Sequence, residues 1–250
     1  MYQGYKLAVV VPAFNEENLI AETLKNMPAE ADRIYVVDDA STDTTREIVR
    51  TIEDQRIKLL CNNRNLGVGG AIVTGYQQAL DEDMEIIMVM AGDNQMDRQY
   101  LPSLLAPVLS GEADYAKGNR LSRQDYRKGM STWRFLGNWM LTILTKIASG
   151  YWRIADPQNG YTAITREALE KIDLDNIYPR YGYCNDLLVK LNVAGCKVVD
   201  VSIPARYGRE KSKIKYTGYI ARVSLLLLRC FLFRIWSIYL RRKKHAVKIT

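Results

Sequence analysis

Apolar and polar positions follow two regimes along the first 110 residues. Four short runs, Leu7 to Val11, Ile34 to Val37, Ile57 to Leu60 and Ile86 to Met90, are nearly all apolar and rich in Val and Ile. Runs without in/out alternation predict strands buried on both faces, as parallel strands are in α/β proteins. Between them, Glu16 to Met27, Thr44 to Ile52, Gly69 to Leu80 and Gln99 to Leu109 carry helical patterns. Asn15 and Asp43 stand where N-caps are expected, and two acids follow Asn15 in the first turn. Strand and helix in regular succession predict a parallel sheet with helices on its faces.

The pattern changes near residue 130. In Arg134 to Ser149 the polar residues Arg134, Asn138, Thr142, Thr145, Lys146 and Ser149 recur at helical spacing while large apolar residues fill the rest, which predicts one strongly amphipathic helix. A strand over Tyr161 to Thr165, a helix over Asn185 to Ala194 closed by Gly195, and a strand over Lys197 to Ile203 complete the body. Ile220 to Leu240 is very apolar but carries Arg222, Arg229 and Arg234, and Arg241, Arg242, Lys243 and Lys244 follow it. On a helix the three arginines fall within an arc of roughly 140°. Such a helix suits a bilayer interface, its long cations reaching toward phosphate headgroups. A core helix with a charged edge is the plainer alternative. No repeat or linker interrupts the chain, so no domain boundary is visible; the change of character toward the basic amphipathic tail gives the expected division, a body over residues 1–215 and a tail over 216–250.

Composition adds one point to this picture and charge adds more. With 250 residues, 48% of them hydrophobic, the chain has material for one sizeable core. The net charge of +7 divides unevenly: residues 203–250 hold 13 of the 35 bases and a single acid, Glu210, for +12, leaving −5 on residues 1–202. A basic tail implies an anionic partner, and because this one is heavily apolar and lacks the polar spacing of a groove-reading helix, a lipid surface is expected rather than nucleic acid. The one histidine is His245, inside the terminal basic cluster, which removes Ser-His-Asp triads and His-rich zinc sites from consideration. Cys61, Cys184, Cys196 and Cys230 form no CxxC pair and sit inside apolar stretches, which suggests reduced, buried thiols in a cytosolic milieu. No signal peptide is expected at the start, and no uncharged apolar run reaches the ~18 residues of a confident membrane span.

In an open parallel sheet, ligands bind beyond the carboxyl ends of the strands. Unusual residues collect there: Pro12 to Glu17 after the first strand, Asp38 to Asp43 after the second, Asn65 to Gly70 after the third and Gly92 to Gln95 after the fourth. Each has a plain structural use as cap or turn; four polar ends on one edge predict a cleft. Backbone N–H groups of Gly67-Val68-Gly69-Gly70 at a helix start would approach phosphate oxygens, although the spacing is neither a Walker loop nor GxGxxG. Asp93 and Gln95, two apart on an extended segment, would offer a carboxylate and an amide oxygen to one metal. That sparse set is adequate for Mg²⁺, which takes its other ligands from water and substrate phosphates.

The segments VVVPAFNEE, VVDDASTDTT, RNLGVGGAI and AGDNQMD, in this order, resemble family 2 glycosyltransferases of GT-A fold, and within them the dolichol-phosphate mannose synthase-like branch, over roughly residues 6–215. The resemblance implies a Rossmann-like, mostly parallel sheet flanked by helices, with C-terminal amphipathic helices at a membrane interface. It implies metal-dependent transfer of a sugar from a nucleotide diphosphate sugar (GDP-mannose or a UDP-hexose) to a polyprenyl or dolichyl phosphate, by a peripheral, monotopic protein at the cytoplasmic membrane face. Pro12, Phe14, Glu16 and Asp39 would then hold base and ribose with Asp38 beside them, and Asp93 and Gln95 a Mg²⁺ or Mn²⁺ ion. Where the family often has Asp-Ala-Asp-x-Gln, this chain has Ala91-Gly92-Asp93-Asn94-Gln95, without the first carboxylate. Lys117-Gly118-Asn119-Arg120 resembles the family's G-(S/N)-R segment, and Arg206 to Lys213 its late R…SK element. Asp156-Pro157-Gln158-Asn159-Gly160 resembles the loop facing the transferred sugar, which would bring Asp156, Gln158 and Asn159 to the donor.

A lipid phosphate is already an anion at neutral pH, so its attack on the anomeric carbon requires no general base. Arg120, Arg134, Arg206 or Arg209, with Ser212 and Lys213, would bind and aim that phosphate. The alternative within the family is an alcohol acceptor (glycan, protein or diacylglycerol), which needs a base, for which Asp186 is the obvious carboxylate. A non-catalytic membrane or nucleic-acid binding module is a third reading.

Overall fold

In a computed structural model of the chain, residues 1–92, 96–122, 132–204 and 216–247 are described, with side chains given for these except at 132–136, 138, 216–221 and 241–247. The first half follows the expected order: β1 (Leu7–Ala13), α1 (Ile20–Lys25), β2 (Arg33–Asp38), α2 (Thr45–Arg50), β3 (Ile57–Cys61), α3 (Val68–Asp81), β4 (Ile86–Val89) and α4 (Leu101–Leu109). The second half comprises β5 (Tyr115–Asn119), α5 (Thr132–Ser149), β6 (Thr162–Thr165), α6 (Arg166–Glu170), α7 (Tyr183–Ala194), β7 (Val198–Ser202) and α8 (Tyr216–Val247).

The strands form one sheet in the order β3-β2-β1-β4-β6-β5-β7. β1 lies parallel to β2 and β4, β2 parallel to β3, and β5 parallel to β7, while β6 runs antiparallel between β4 and β5. The pleat sends alternate residues to two cores. Ala8, Val10, Tyr35, Val37 and Ile87 pack under Ile72 and Tyr76 of α3 and Leu187 and Leu188 of α7; Leu7, Val9, Ile34, Val36 and Met88 pack under Ile20 and Leu24 of α1 and Leu104 and Leu105 of α4. The mostly parallel α/β sheet expected from the sequence is thus the one observed.

Local expectations fared unevenly. β3 is only half-buried, not doubly covered, because it is the sheet's outer strand, and for the same reason Cys61 at its end is exposed, whereas Cys184, Cys196 and Cys230 are buried as expected. Asn15 does not cap a helix: with φ +55° it accepts from Thr42 N (2.8 Å), while its own N–H and that of Glu16 donate to Ser41 Oγ (3.0 Å) and Thr45 Oγ1 (2.9 Å). Those cross-links tie the loop after β1 to the loop after β2, so α1 starts only at Ile20. Asp43 does serve the next helix, accepting from Thr45 N at 3.0 Å. β5 and α6 were not foreseen, since Tyr-Ala-Lys-Gly-Asn has no strand-like apolar pattern.

The tail is joined to the body. One stripe of α8, Val223, Leu227 and Cys230, buries against Leu141 and Ala148 of α5 and Val189 of α7. Arg234 continues that stripe, donating through Nε to Ala148 O (2.8 Å) and through a terminal nitrogen to Ile147 O (3.0 Å). The last carbonyls of a helix lack intrahelical donors and sit at its negative pole, so this guanidinium satisfies two of them and complements the dipole of α5. The sequence arc that grouped Arg234 with the headgroup-facing cations is corrected here; Arg222 and Arg229 are exposed.

Candidate active site

At the carboxyl end of β1, half-buried Pro12 and Glu16 flank Phe14, which is 39% exposed. The two acids closing β2 have different work. Asp38 is fully buried, ion-paired with Arg46, and accepts from Ser41 N (3.2 and 3.3 Å). Asp39, also buried, accepts from Asn62 Nδ2 (2.8 Å), Leu66 N (2.9 Å) and Gly67 N (2.7 Å), and so staples the glycine turn to the end of β2. Charge-assisted bonds of this kind fix a loop more firmly than neutral ones.

Two amides of the glycine turn are committed to acceptors within the protein. The Gly67 amide belongs to Asp39, and the Gly70 amide donates to Pro179 O at 2.9 Å. Gly67 has φ +87°, and a Cβ there would come within 2.7 Å of Pro179 O; at Gly69 it would lie 2.4 Å from Tyr178 O. These glycines let the segment 178–180 close over the start of α3, a packing role beyond the tight turn that the sequence offered as their plain structural use.

β4 ends against β1: Gly92 O accepts from Thr23 Oγ1 (2.8 Å), and a Cβ at Gly92 would lie 3.3 Å from Pro12 O. Gly92 therefore lies beside the end of β1; Asp93, Asn94 and Gln95, which follow it, lie outside the described residues. Among the described residues no three His, Cys, Asp or Glu side chains converge as metal ligands. Asp38 and Asp39 are committed to protein donors; Asp93 and Gln95 are the pair expected from the sequence to hold an ion. One carboxylate and one amide form a hard-oxygen set that fits Mg²⁺ or Mn²⁺ when phosphates complete the shell.

The densest electrostatics lie where β5, β6 and β7 meet the loop before β6. Asp156 is fully buried; Arg120 donates to it through Nε (2.7 Å), a terminal nitrogen (3.0 Å) and its backbone N–H (3.1 Å). Burial pushes the Asp156 carboxyl upward, but the Arg120 charge and hydrogen bonds, with Lys117 behind them, hold it below the usual carboxylate range. Lys117, with no exposed surface, donates to Asp156 O. Across the β5–β7 ladder Lys117 stands in register with Asp200. Asp200 Oδ2 accepts from Ala155 N (2.6 Å), its Oδ1 is buried without a partner, and burial raises this carboxyl despite Lys117. Thr142 of α5 donates to Ala155 O at 3.1 Å. Asn159 accepts from Tyr161 N (3.0 Å), and its amide fills the space beside Gly118. Gln158 donates to Asn185 at 3.4 Å.

Arg120, expected at the acceptor phosphate, is thereby fastened on Asp156. Lys117 and Asp200 were missed as site residues, although a lysine inside a strand and one acid within Lys197-Val198-Val199-Asp200-Val201 were visible signals. Asp186, the base of the alcohol-acceptor reading, is buried and accepts from Tyr178 N (2.8 Å), Lys190 and Cys230 Sγ (3.4 Å). It holds α7, the 178 segment and α8 together. Arg134 lies on α5 with its side chain outside the description; Arg206, Arg209, Ser212 and Lys213 lie outside the described residues.

A parallel sheet with one antiparallel strand, its polar strand ends gathered along one edge, is the GT-A fold of nucleotide-sugar glycosyltransferases. Residues 8–173 match the family described as Glycosyl transferase family 2, and the chain belongs to that family; it is an enzyme of the hexosyltransferase type. It is similar to the UDP-N-acetylglucosamine–dolichyl-phosphate N-acetylglucosaminyltransferase of Methanococcus voltae, 25% identical over 88% of this chain and 95% of that one. It is also similar to the undecaprenyl-phosphate mannosyltransferase of Micrococcus luteus, 28% identical over 86% and 89%. Among solved structures, glucosyl-3-phosphoglycerate synthase of Mycobacterium tuberculosis, crystallised with Mn²⁺, UDP and phosphoglyceric acid, superposes with TM-score 0.68 at 20% identity, covering 92% of this chain and 78% of that one.

Proposed function

We propose that this enzyme transfers a hexosyl group from a nucleoside diphosphate sugar to a polyprenyl phosphate at the cytoplasmic face of a membrane. The observation that carries the reading is the apolar surface that abuts the site. Trp139, Met140, Ile143 and Ile147 of α5 are exposed on the same helix whose Thr142 holds the Ala155–Asp156 loop. Two relatives are named for polyprenyl-phosphate acceptors. The engagement of Asp186 by Tyr178, Lys190 and Cys230 weighs against an alcohol acceptor, which would need that carboxylate as a free base.

In this reading Phe14, Pro12 and Glu16 line the nucleoside end of the crevice, and Asp39 keeps the glycine turn in place behind it. Asp93 and Gln95 would hold a Mg²⁺ or Mn²⁺ ion, whose charge offsets that of the diphosphate leaving group. Asp156, fixed by Arg120 and Lys117, shapes the loop that faces the transferred sugar. The lipid phosphate oxygen forms the new bond to the anomeric carbon as the bond to the diphosphate breaks, with inversion and no proton to remove. Arg134, Arg206, Arg209, Ser212 and Lys213 supply cations and a hydroxyl for the acceptor phosphate.

The test offers the purified protein a panel of GDP-mannose, UDP-glucose and UDP-N-acetylhexosamines with a short polyprenyl phosphate and Mg²⁺ or Mn²⁺. A lipid-linked, acid-labile product is expected, absent in Asp93→Ala with folding intact. Transfer to an alcohol acceptor without lipid-linked product would overturn the reading, as would full activity of Asp93→Ala.

A further inference from the structure

Arg222–Leu240 forms 19 residues of helix long and apolar enough to cross a membrane, with mean hydropathy 1.7. At ~1.5 Å per residue that is about 28 Å, close to the thickness of a bilayer core. Length and composition alone therefore allow two placements of α8, across the bilayer or along its surface.

The contacts of α8 distinguish them. Its docked stripe runs from Val223 through Leu227 and Cys230 to Arg234, so the body lies alongside about 16 Å of the segment. What lies there is polar as well as apolar: the two α5 carbonyls bonded by Arg234, and the Asp186–Lys190 pair bonded by Cys230. A spanning helix would have to carry these groups into hydrocarbon, or leave them and place the Arg234 guanidinium there unpaired. The opposite side of α8 is apolar and open: Leu225, Leu228, Leu232, Ile235, Trp236 and Tyr239 are exposed, Trp236 by 61% and Leu232 by 58%. Basic residues bracket the helix, Lys211, Lys213 and Lys215 before it and Arg241, Arg242, Lys243 and Lys244 at its end. Such clusters stay with the anionic cytoplasmic leaflet, and here both ends carry one.

We infer that α8 lies flat on the membrane, fastened to α5 by Arg234, with its outer apolar face in the lipid and both of its ends on the side of the catalytic body. The occupant of that face is an anionic bilayer surface. The inference rests on the membrane reading under Proposed function and adds what that reading leaves open, the topology of the tail and the residue that sets it.

The experiment uses the full chain with an epitope tag after Thr250, expressed in a bacterial host, and inside-out vesicles of the inner membrane exposed to protease. Sedimentation with the vesicles and loss of the tag as rapid as cleavage of the body are expected. A tag protected until detergent is added, on a chain that does sediment, overturns this inference alone. A chain that stays in the supernatant overturns the membrane reading and this inference with it. Arg234→Leu removes the fastening and, among the described residues, the one charge on the docked stripe of α8, and is expected to raise the protected fraction at least several-fold. An Arg234→Leu tag as accessible as that of the wild type removes Arg234 from the assignment, and Arg234→Lys, which keeps the charge but not the paired hydrogen bonds, is expected to fall between the two.

Discussion

Lys117 is a charge sealed inside a sheet, and its replacement by methionine tests the electrostatics of the site with little change in volume. The lysine donates to Asp156 O and faces two carboxylates, Asp156 and Asp200, while Arg120 is the other cation. Lys117→Met leaves two buried acids against one guanidinium. Removing one partner from a buried charge arrangement costs about 3–5 kcal/mol. For a chain of this size each kcal/mol lowers Tm by about 2–4 °C, so the expected fall is roughly 6–20 °C. The sign of the pH dependence follows from Asp200, whose carboxyl is raised by burial. A raised acid favours folding below its unfolded pKa, about 3.9, and that contribution is lost as pH rises through the folded value. Without Lys117 the loss deepens, so the penalty at pH 8 should exceed that at pH 5. Adding Asp200→Asn removes the excess charge yet keeps an oxygen for Ala155 N, and the double variant should recover at least ~1 kcal/mol relative to additivity. Thermal unfolding by circular dichroism at both pH values measures all four species. Additive single and double variants, or a Lys117→Met Tm within a degree of wild type, would refute this account of the cluster.

Other consequences follow from the same contacts. Gly69→Ala would put a Cβ 2.4 Å from Tyr178 O and is expected to cost about 1–3 kcal/mol in chemical denaturation, with weakened UDP or GDP binding by calorimetry. Asp39→Asn turns one of the acceptors of Leu66 N and Gly67 N into a donor; a loss of about 1–3 kcal/mol is expected, with faster hydrogen exchange in the glycine turn. Asp156→Asn loses the pairing with Arg120, and because Asp156 is depressed in the fold its contribution is present above about pH 4 and lost as pH falls through the folded value. The stability gap between Asp156→Asn and wild type should therefore narrow below pH 4, and a constant gap from pH 7 to pH 3 counts against the ion pair.

Much of the architecture was legible because it depends on local pattern. Unbroken apolar runs marked β1, β2 and β4 as doubly covered strands, helical spacing located α3, α4, α5 and α7, and the polar strand ends pointed to one edge of the sheet. β5 was not legible, since its lysine, glycine and asparagine are there for the site and carry no strand signal. The edge position of β3 was equally hidden, because nothing local says which strands lack a neighbour.

The sequence by itself determined the fold class, the family and the sign of the tail's charge, all of which are properties of short segments or of sums. Only the tertiary structure decided how individual polar groups are used. Asp39 became a staple, Asp186 a tie between three elements, Arg120 the partner of Asp156, and Arg234 the cap of another helix. A side chain's role is set by the group opposite it, and in each of these cases at least one of those groups comes from a distant part of the chain. Lys117 and Asp200 are 83 residues apart and meet because β5 and β7 are adjacent strands in one register. No window along the chain contains that pairing; it exists only once the sheet has formed.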